Sequence, residues 1–504
     1  MSACLLGLDI GTTGARALLC DEHGRVLSVA TAEYPLSTPQ PLWSEQNPED
    51  WWRGACDALR AVVAQAGVAP EQIRGLGLTG QMHGSVFLDE QDQVIRPALL
   101  WNDQRTAAEC AEITARVGAE RLIAIAGNPA LTGFQAPKIL WLRNHEPERY
   151  ARVAQALLPK DYIRRRLTGI SATDAADAAG TLLLDLRQRD WSDEILAALD
   201  IPRAWLPRVF EGPEVTGEVR PDIAAALGLP AGLPVVAGGG DNAAAAVGAG
   251  IVQSGIVSSS IGTSGVIFAH SDEIALDPHG RLHTFCHSVP GRYHLMAVTL
   301  AAGGSFRWFR DTLRTVTGQH LGYDDLTNLA ESVPPGAEGL IFLPYLSGER
   351  TPHLDPLARG AFIGLTARHT LAHMARAVME GVVFALRDGL EIMRNLGMAP
   401  DQIRATGGGG KSPLWRQMQA NIYATPVATL AAEEGPAYGA ALLAGVGAGL
   451  FRDVADAVDR CVTLTASVVP DDHAVAQYDR VYAIYRDMYA ALRDGMHRLA
   501  GVSA

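Results

Sequence analysis

The chain has 504 residues, 55 acidic and 42 basic, giving a formal net charge of −13 with neither sign gathered into a long run. That length exceeds one hydrophobic core and predicts two large domains, and the acidic balance argues against nucleic acid as a partner, since that needs a basic stripe. Six scattered cysteines without a Cys-x-x-Cys pair, 48% hydrophobic residues and a mean hydropathy of +0.07 argue against a disulfide framework and predict a soluble, cytoplasmic protein.

In chain order, LLGLDIGTTGARALLC lacks a basic n-region and a long apolar h-region, so it reads as strand, turn and strand rather than as a signal peptide. Its turn is Asp9-Ile10-Gly11-Thr12-Thr13-Gly14. IRGLGLTGQMHG predicts an apolar strand entering a Gly-bounded turn, and LPVVAGGGDNAAAAVGAG a strand, a glycine turn and a small-residue helix. Near the midpoint, Ser260-Ile261-Gly262-Thr263-Ser264-Gly265 echoes the first turn between two apolar runs. Such a hairpin can point backbone N–H groups at a phosphate. One in each half predicts two similar α/β domains facing each other across a cleft, divided as 1–244 and 245–504, although two short Gly-Thr strings can also match by chance. QIRATGGGGKSPLWRQMQANIY repeats the strand–glycine–helix plan. Ala437 to Phe451 is too short to cross a bilayer and reads as a buried helix, so no membrane partner is expected. The closing YDRVYAIYRDMYAALRDGMHRLA spaces its apolar residues by three and four, as an amphipathic helix does when it packs onto its own domain.

Three patterns are set aside. Gly75, Gly77 and Gly80 match a dinucleotide fingerprint, but they sit within an apolar strand, and no helix opens after them. Gly410-Lys411-Ser412 resembles the end of a Walker A loop, yet Ala405 stands where its first glycine belongs. His283 with His287 and His369 with His373 have a zinc-like spacing, but they lack the HExxH glutamate and an evident third ligand.

Phosphoryl transfer to an alcohol needs a cradle for the triphosphate, a divalent ion, a base for the hydroxyl and the exclusion of water. The two hairpins can supply the cradle, and Asp9 can orient Mg²⁺ through its waters. Asp241 ends a strand and opens a helix, where α/β proteins build their sites. It can serve as the base or merely cap the helix.

At this point the chain resembles the FGGY family of carbohydrate kinases over nearly its whole length. Gly360-Ala361-Phe362-Ile363-Gly364-Leu365, then seven residues, then His373 to Glu380, meet one family signature. Lys138-Ile139-Leu140-Trp141-Leu142 meet part of another, with Gln135 departing from the small or hydroxylated residue usual there. LLPKDYIRRRLTG, LPYLSGERTPH and GGGGKSPLWRQM are also family-like.

The resemblance implies two actin-like ATPase (ribonuclease H-like) domains across a catalytic cleft. It makes Asp241 the base, and Asp9 the acidic residue near the metal. Thr12, Thr13 and Thr263 become phosphate-side positions, and Gly408, Gly409 and Gly410 the turn at the adenosine end. Met82 and His83 match the sugar-binding pair, while Trp101, Asn102 and Asp103 line the same pocket with Asn242 beside the base. Relatives carry a small residue and then Arg or similar at Gly410-Lys411, so the role of Lys411 stays open between ligand contact and solvent. PLWSEQ, GQMHG and WNDQR point to the branch acting on ketopentoses, D-xylulose above all. Ribulose, another ketose or a polyol is the alternative substrate, and a non-catalytic sugar sensor the alternative function. The implied partners are a small sugar and ATP, with Mg²⁺ as cofactor and a homodimer as the assembly.

Overall fold

The computed structural model describes residues 2–317, 321–431 and 434–502. The first sheet contains β1 (Cys4–Ile10), β2 (Gly14–Asp21), β3 (Val26–Glu33), β4 (Ile73–Gly80), β5 (Val215–Glu218) and β6 (Pro234–Gly240), in the order β5-β6-β4-β1-β2-β3. The second contains β7 (Ile256–Ile261), β8 (Gly265–Ser271), β9 (His283–Cys286), β10 (Tyr293–Thr299), β11 (Gln402–Thr406), β12 (Val427–Leu430) and β13 (Leu464–Val468), in the order β9-β10-β8-β7-β11-β12-β13. The two match strand for strand apart from β9. In each, the hairpin strand (β1 or β7) pairs antiparallel with its partner and parallel with the next crossover strand. The internal echo is therefore a repeated domain, and chance drops out.

β1 is a continuous apolar run because it is buried on both faces, as central strands with parallel neighbours are. One face of the first sheet lies against α1 (Pro48–Ala66), whose Trp51, Leu59 and Val62 are fully buried. Among the other helices, in chain order, are α2 (Pro159–Thr168), α3 (Ala175–Ala179), α4 (Asp241–Gly248), α5 (Gly303–Thr317), α6 (Leu371–Asn395), α7 (Gly407–Lys411), α8 (Pro413–Tyr423), α9 (Pro436–Gly447) and α10 (Asp472–Val502). α6 is the core helix of the second half, and Tyr478, Tyr482 and Tyr485 dock α10 into that core as expected.

The halves are interlocked. α9 belongs to the second half in sequence but covers the other face of the first sheet, packing its Ala441, Leu442 and Leu443 with Leu5 and Leu18. Glycines allow the approach: a Cβ on Gly7 would lie 1.8 Å from the Ala437 carbonyl oxygen, and one on Gly77 1.9 Å from that of Ala440. α9 also meets α4 at Gly439, where a Cβ would lie 1.8 Å from the Ala244 oxygen. The expected division at residue 244 thus falls inside α4, and the loop 249–255 leads from α4 to the first strand of the second sheet.

Candidate active site

Most candidate residues sit at or just beyond the end of a strand. In the first hairpin Asp9 pairs with Arg16, and Gly11 N–H donates to the Gly14 carbonyl at 3.1 Å to close the turn. Asp9 is partly exposed, but its Oδ1 is buried without a hydrogen bond. Burial, then the charge of nearby Asp241, pushes its pKa up to about 7, against the pull of Arg16. Arg16 in turn reaches Glu434 at 2.8 Å.

Asp241 is the first residue of α4, while Gly240 holds the cap position. It is not the N-cap, which removes half of the ambiguity left by the sequence. Its Oδ1 accepts the backbone N–H of Asn242 at 2.7 Å and Nδ2 of Asn242 at 2.8 Å, and no protein group bonds Oδ2 among the described residues. Burial raises its pKa to about 6, and the Asn242 bonds hold it down. The glycines before it are steric necessities. Gly238 has φ +77°, and a Cβ there would lie 1.7 Å from the Leu78 oxygen; one on Gly240 would press on Met82. Arg164 of α2 braces this strand, donating to the carbonyls of Val236 at 2.7 Å and Ala237 at 2.5 Å.

Met82 is buried, and His83 follows it in the left-handed region at φ +69°. His83 Nδ1 lies 2.6 Å from the Gly180 carbonyl, so Nδ1 carries the proton and Nε2 stays an acceptor. Burial lowers its pKa to about 3, which keeps the ring neutral. Phe134 packs on it with centroids 4.8 Å apart. Phe134 is positioned by the signature lysine, since buried Lys138 Nζ donates to the carbonyls of Thr132, Gly133 and Phe134.

Trp101 is 47% exposed, and its indole N–H donates to Thr12 Oγ1 at 3.0 Å. Asn102 Oδ1 is buried without a partner. Asp103 departs from the expectation that it lines the sugar pocket. It is fully buried, and its carboxylate is taken by Arg105 at 2.6 Å and by Ser44 N–H at 2.7 Å, because it anchors the turn that carries Trp101.

In the second half, Thr263 opens onto an 800 Å³ cavity lined also by Gly303, Gly304, Phe306, Tyr323, Gly408, Gly409, Lys411 and Trp415. The expected glycine turn is α7, a single helical turn. Within that turn Gly410 is buried, accepts a hydrogen bond from Arg416 at 2.8 Å on its carbonyl, and is not among the residues that line the cavity. Lys411 is exposed. A 240 Å³ cavity lined by Asn242, Ser258, Ser260, Thr406 and Glu434 lies between the halves.

Sequence reasoning missed the groups that hold the first turn. Tyr34 OH donates to the Gly11 carbonyl at 2.5 Å, and Gln46 Nε2 to that of Thr12 at 2.7 Å. Gln81, adjacent to Met82, was the one with a signal; Phe306 and Trp415 come together only in the fold. Of the histidines set aside, His283 Nδ1 faces Asn128 Oδ1 at 2.6 Å, and His373 accepts the Thr370 N–H at the start of α6.

Two hairpins, an oriented carboxylate and an 800 Å³ cavity suit phosphoryl transfer, and the comparison with known proteins agrees. The N-terminal domain model of the FGGY family of carbohydrate kinases matches residues 4–248, and the C-terminal domain model matches residues 257–448. The chain belongs to the FGGY family of carbohydrate kinases. Among FGGY proteins it is 43% identical to the xylulose kinase of Escherichia coli (strain K12), over 97% of this chain and 99% of the relative. It is 44% identical to that of Klebsiella pneumoniae, over the same shares. The crystal structure of xylulose kinase from Rhodospirillum rubrum superposes with a TM-score of 0.92 at 34% identity, covering 98% of this chain and all of the other. As an FGGY carbohydrate kinase the protein takes ATP as its phosphoryl donor.

Proposed function

We propose that this kinase phosphorylates D-xylulose at its terminal hydroxyl, giving D-xylulose 5-phosphate and ADP in xylose catabolism. The observation that carries this reading is the end-to-end identity of 43–44% with kinases named for xylulose. The pocket chemistry supports it: buried Met82 lies along a carbon chain, and neutral His83 offers Nε2 to a hydroxyl. Six unpaired cysteines suit the cytoplasm.

In this mechanism Asp241 takes the hydroxyl proton on Oδ2, while Asn242 holds Oδ1 and so fixes the carboxylate plane. Thr12, Thr13 and Thr263 lie along the triphosphate, and Gly408 and Gly409 border the adenosine. Asp9 fits a divalent ion, because a buried, unbonded carboxylate oxygen beside a second carboxylate is an acceptor that a hard cation satisfies, through water or directly. Mg²⁺ held there would neutralise charge on the phosphates. Closure of the two halves excludes water, a competing nucleophile. The test is ADP release over a panel of pentoses, ketohexoses and polyols. D-xylulose is expected to give the highest kcat/KM; a preference for glycerol, gluconate or ribulose would overturn the substrate and leave the kinase intact.

A further inference from the structure

A continuous hydrogen-bond chain runs from Trp101 through Thr12 to Gln81 and Gln46. Trp101 Nε1 donates to Thr12 Oγ1 at 3.0 Å, and Thr12 Oγ1 donates onward to Gln81 Oε1 at 3.3 Å. Gln81 Nε2 donates to Gln46 Oε1 at 3.2 Å and reaches the Gly11 carbonyl at 3.4 Å, while Gln46 Nε2 returns to the Thr12 carbonyl at 2.7 Å. Trp51 Nε1 fixes Gln46 Oε1 from behind at 2.9 Å. Both glutamines are 2% exposed, so their amides have no water to turn to and the loop of bonds is rigid. Trp101 is the loose member, with nearly half of its surface exposed.

We propose that Trp101 couples the two substrates: a sugar seated against its open face fixes the indole, and the fixed indole N–H sets Thr12 to bind the triphosphate. This rests on the reading of Trp101 as sugar-facing and Thr12 as phosphate-facing. The Thr12 hydroxyl has one proton, which now points at Gln81, and it must swing to a phosphate oxygen to serve as a donor there. A donor held on its oxygen polarises that O–H and strengthens the bond it then makes. Without sugar the half-exposed indole is less firmly held on Thr12, and that help weakens. Gln81 and Gln46 are positioning residues that return the turn to one geometry, and Gln81 directly precedes the sugar pair. Linkage makes the effect reciprocal: nucleotide tightens sugar by the same factor as sugar tightens nucleotide.

The test measures the affinity of the full-length protein for a non-hydrolysable ATP analogue with Mg²⁺, with and without saturating D-xylulose. Wild type, Trp101→Phe and Thr12→Val are compared. In the wild type the sugar is expected to tighten the analogue by at least about fivefold, the lower end of ordinary site-to-site coupling. In Trp101→Phe, which keeps the aromatic face but not the N–H, the factor is expected to fall below about twofold. Thr12→Val breaks the same bond from the other end, and the double variant is expected to lose no more coupling than either single one. Wild-type coupling retained in Trp101→Phe overturns the proposal, as does its absence in the wild type. If D-xylulose does not bind, the best substrate of the panel replaces it, so a failed substrate assignment remains distinct from a failed coupling.

Discussion

Asp9→Asn should make the ligand-free protein more stable while destroying its activity. Asp9 titrates near pH 7 in the fold against an ordinary 3.8, with burial the first cause and Asp241 the second. The folded chain therefore keeps a proton between those values that the unfolded chain has released. The stability this contributes is complete below pH 3.8 and is lost as the pH rises through about 7. A gap of about three pKa units at about 1.4 kcal/mol each amounts to about 4 kcal/mol of strain from the ionised carboxylate at pH 8. At pH 5 the folded carboxyl is protonated, and the difference shrinks to under about 2 kcal/mol. Asparagine never ionises, so it avoids this cost at both pH values. Thermal unfolding of ligand-free wild type and variant at pH 5 and pH 8 reads it directly. The variant is expected to melt several degrees higher at pH 8, on the order of 2–4 °C per kcal/mol for domains of this size, with a smaller margin at pH 5. A variant less stable than wild type at pH 8, or a margin that does not narrow at pH 5, would refute the reasoning.

Three further outcomes follow from the geometry. His83→Ala removes the Nε2 acceptor and is expected to lower kcat/KM for the sugar by at least about tenfold, as loss of a buried hydrogen bond to a ligand does, with ATP-analogue affinity measured in parallel and little changed. Lys411→Ala removes an exposed side chain at the cavity rim; steady-state turnover should fall less than about tenfold, under about 1.4 kcal/mol of barrier, whereas a dead enzyme would mean that Lys411 holds phosphate as a Walker lysine does. Gly77→Val places a Cβ 1.9 Å from the Ala440 oxygen, so urea unfolding should show a loss of at least about 1–3 kcal/mol, the ordinary cost of overpacking.

The hairpins, their repetition and the acid after three glycines were legible because each is written within a few consecutive residues. Asp9-to-Gly14 and Ser260-to-Gly265 carry their turn chemistry locally, and their strands carry continuous apolar runs. Tertiary placement was not legible. Nothing near Pro436 says that α9 crosses to cover the first sheet; that follows only from the fit of Ala437 and Ala440 against Gly7 and Gly77. The same limit explains Asp103: the direction of its side chain depends on a partner far along the sequence, the Ser44 N–H. Lys138 matched a signature, yet its role in clamping three carbonyls behind Phe134 needed the fold.

The role of Asp241 is tested most directly by kcat and ATP affinity in Asp241→Asn, with wild-type kcat/KM followed from pH 5 to pH 8. The substitution keeps the shape of the side chain but removes the acceptor of the hydroxyl proton, and loss of a general base costs on the order of 10² to 10⁴ in rate. The account predicts a fall in kcat within that range with ATP affinity retained. In the wild type it predicts an acid limb in which Asp9, near pH 7, and then Asp241, near pH 6, become protonated. A folded Asp241→Asn protein that turns over D-xylulose within tenfold of wild type would contradict it.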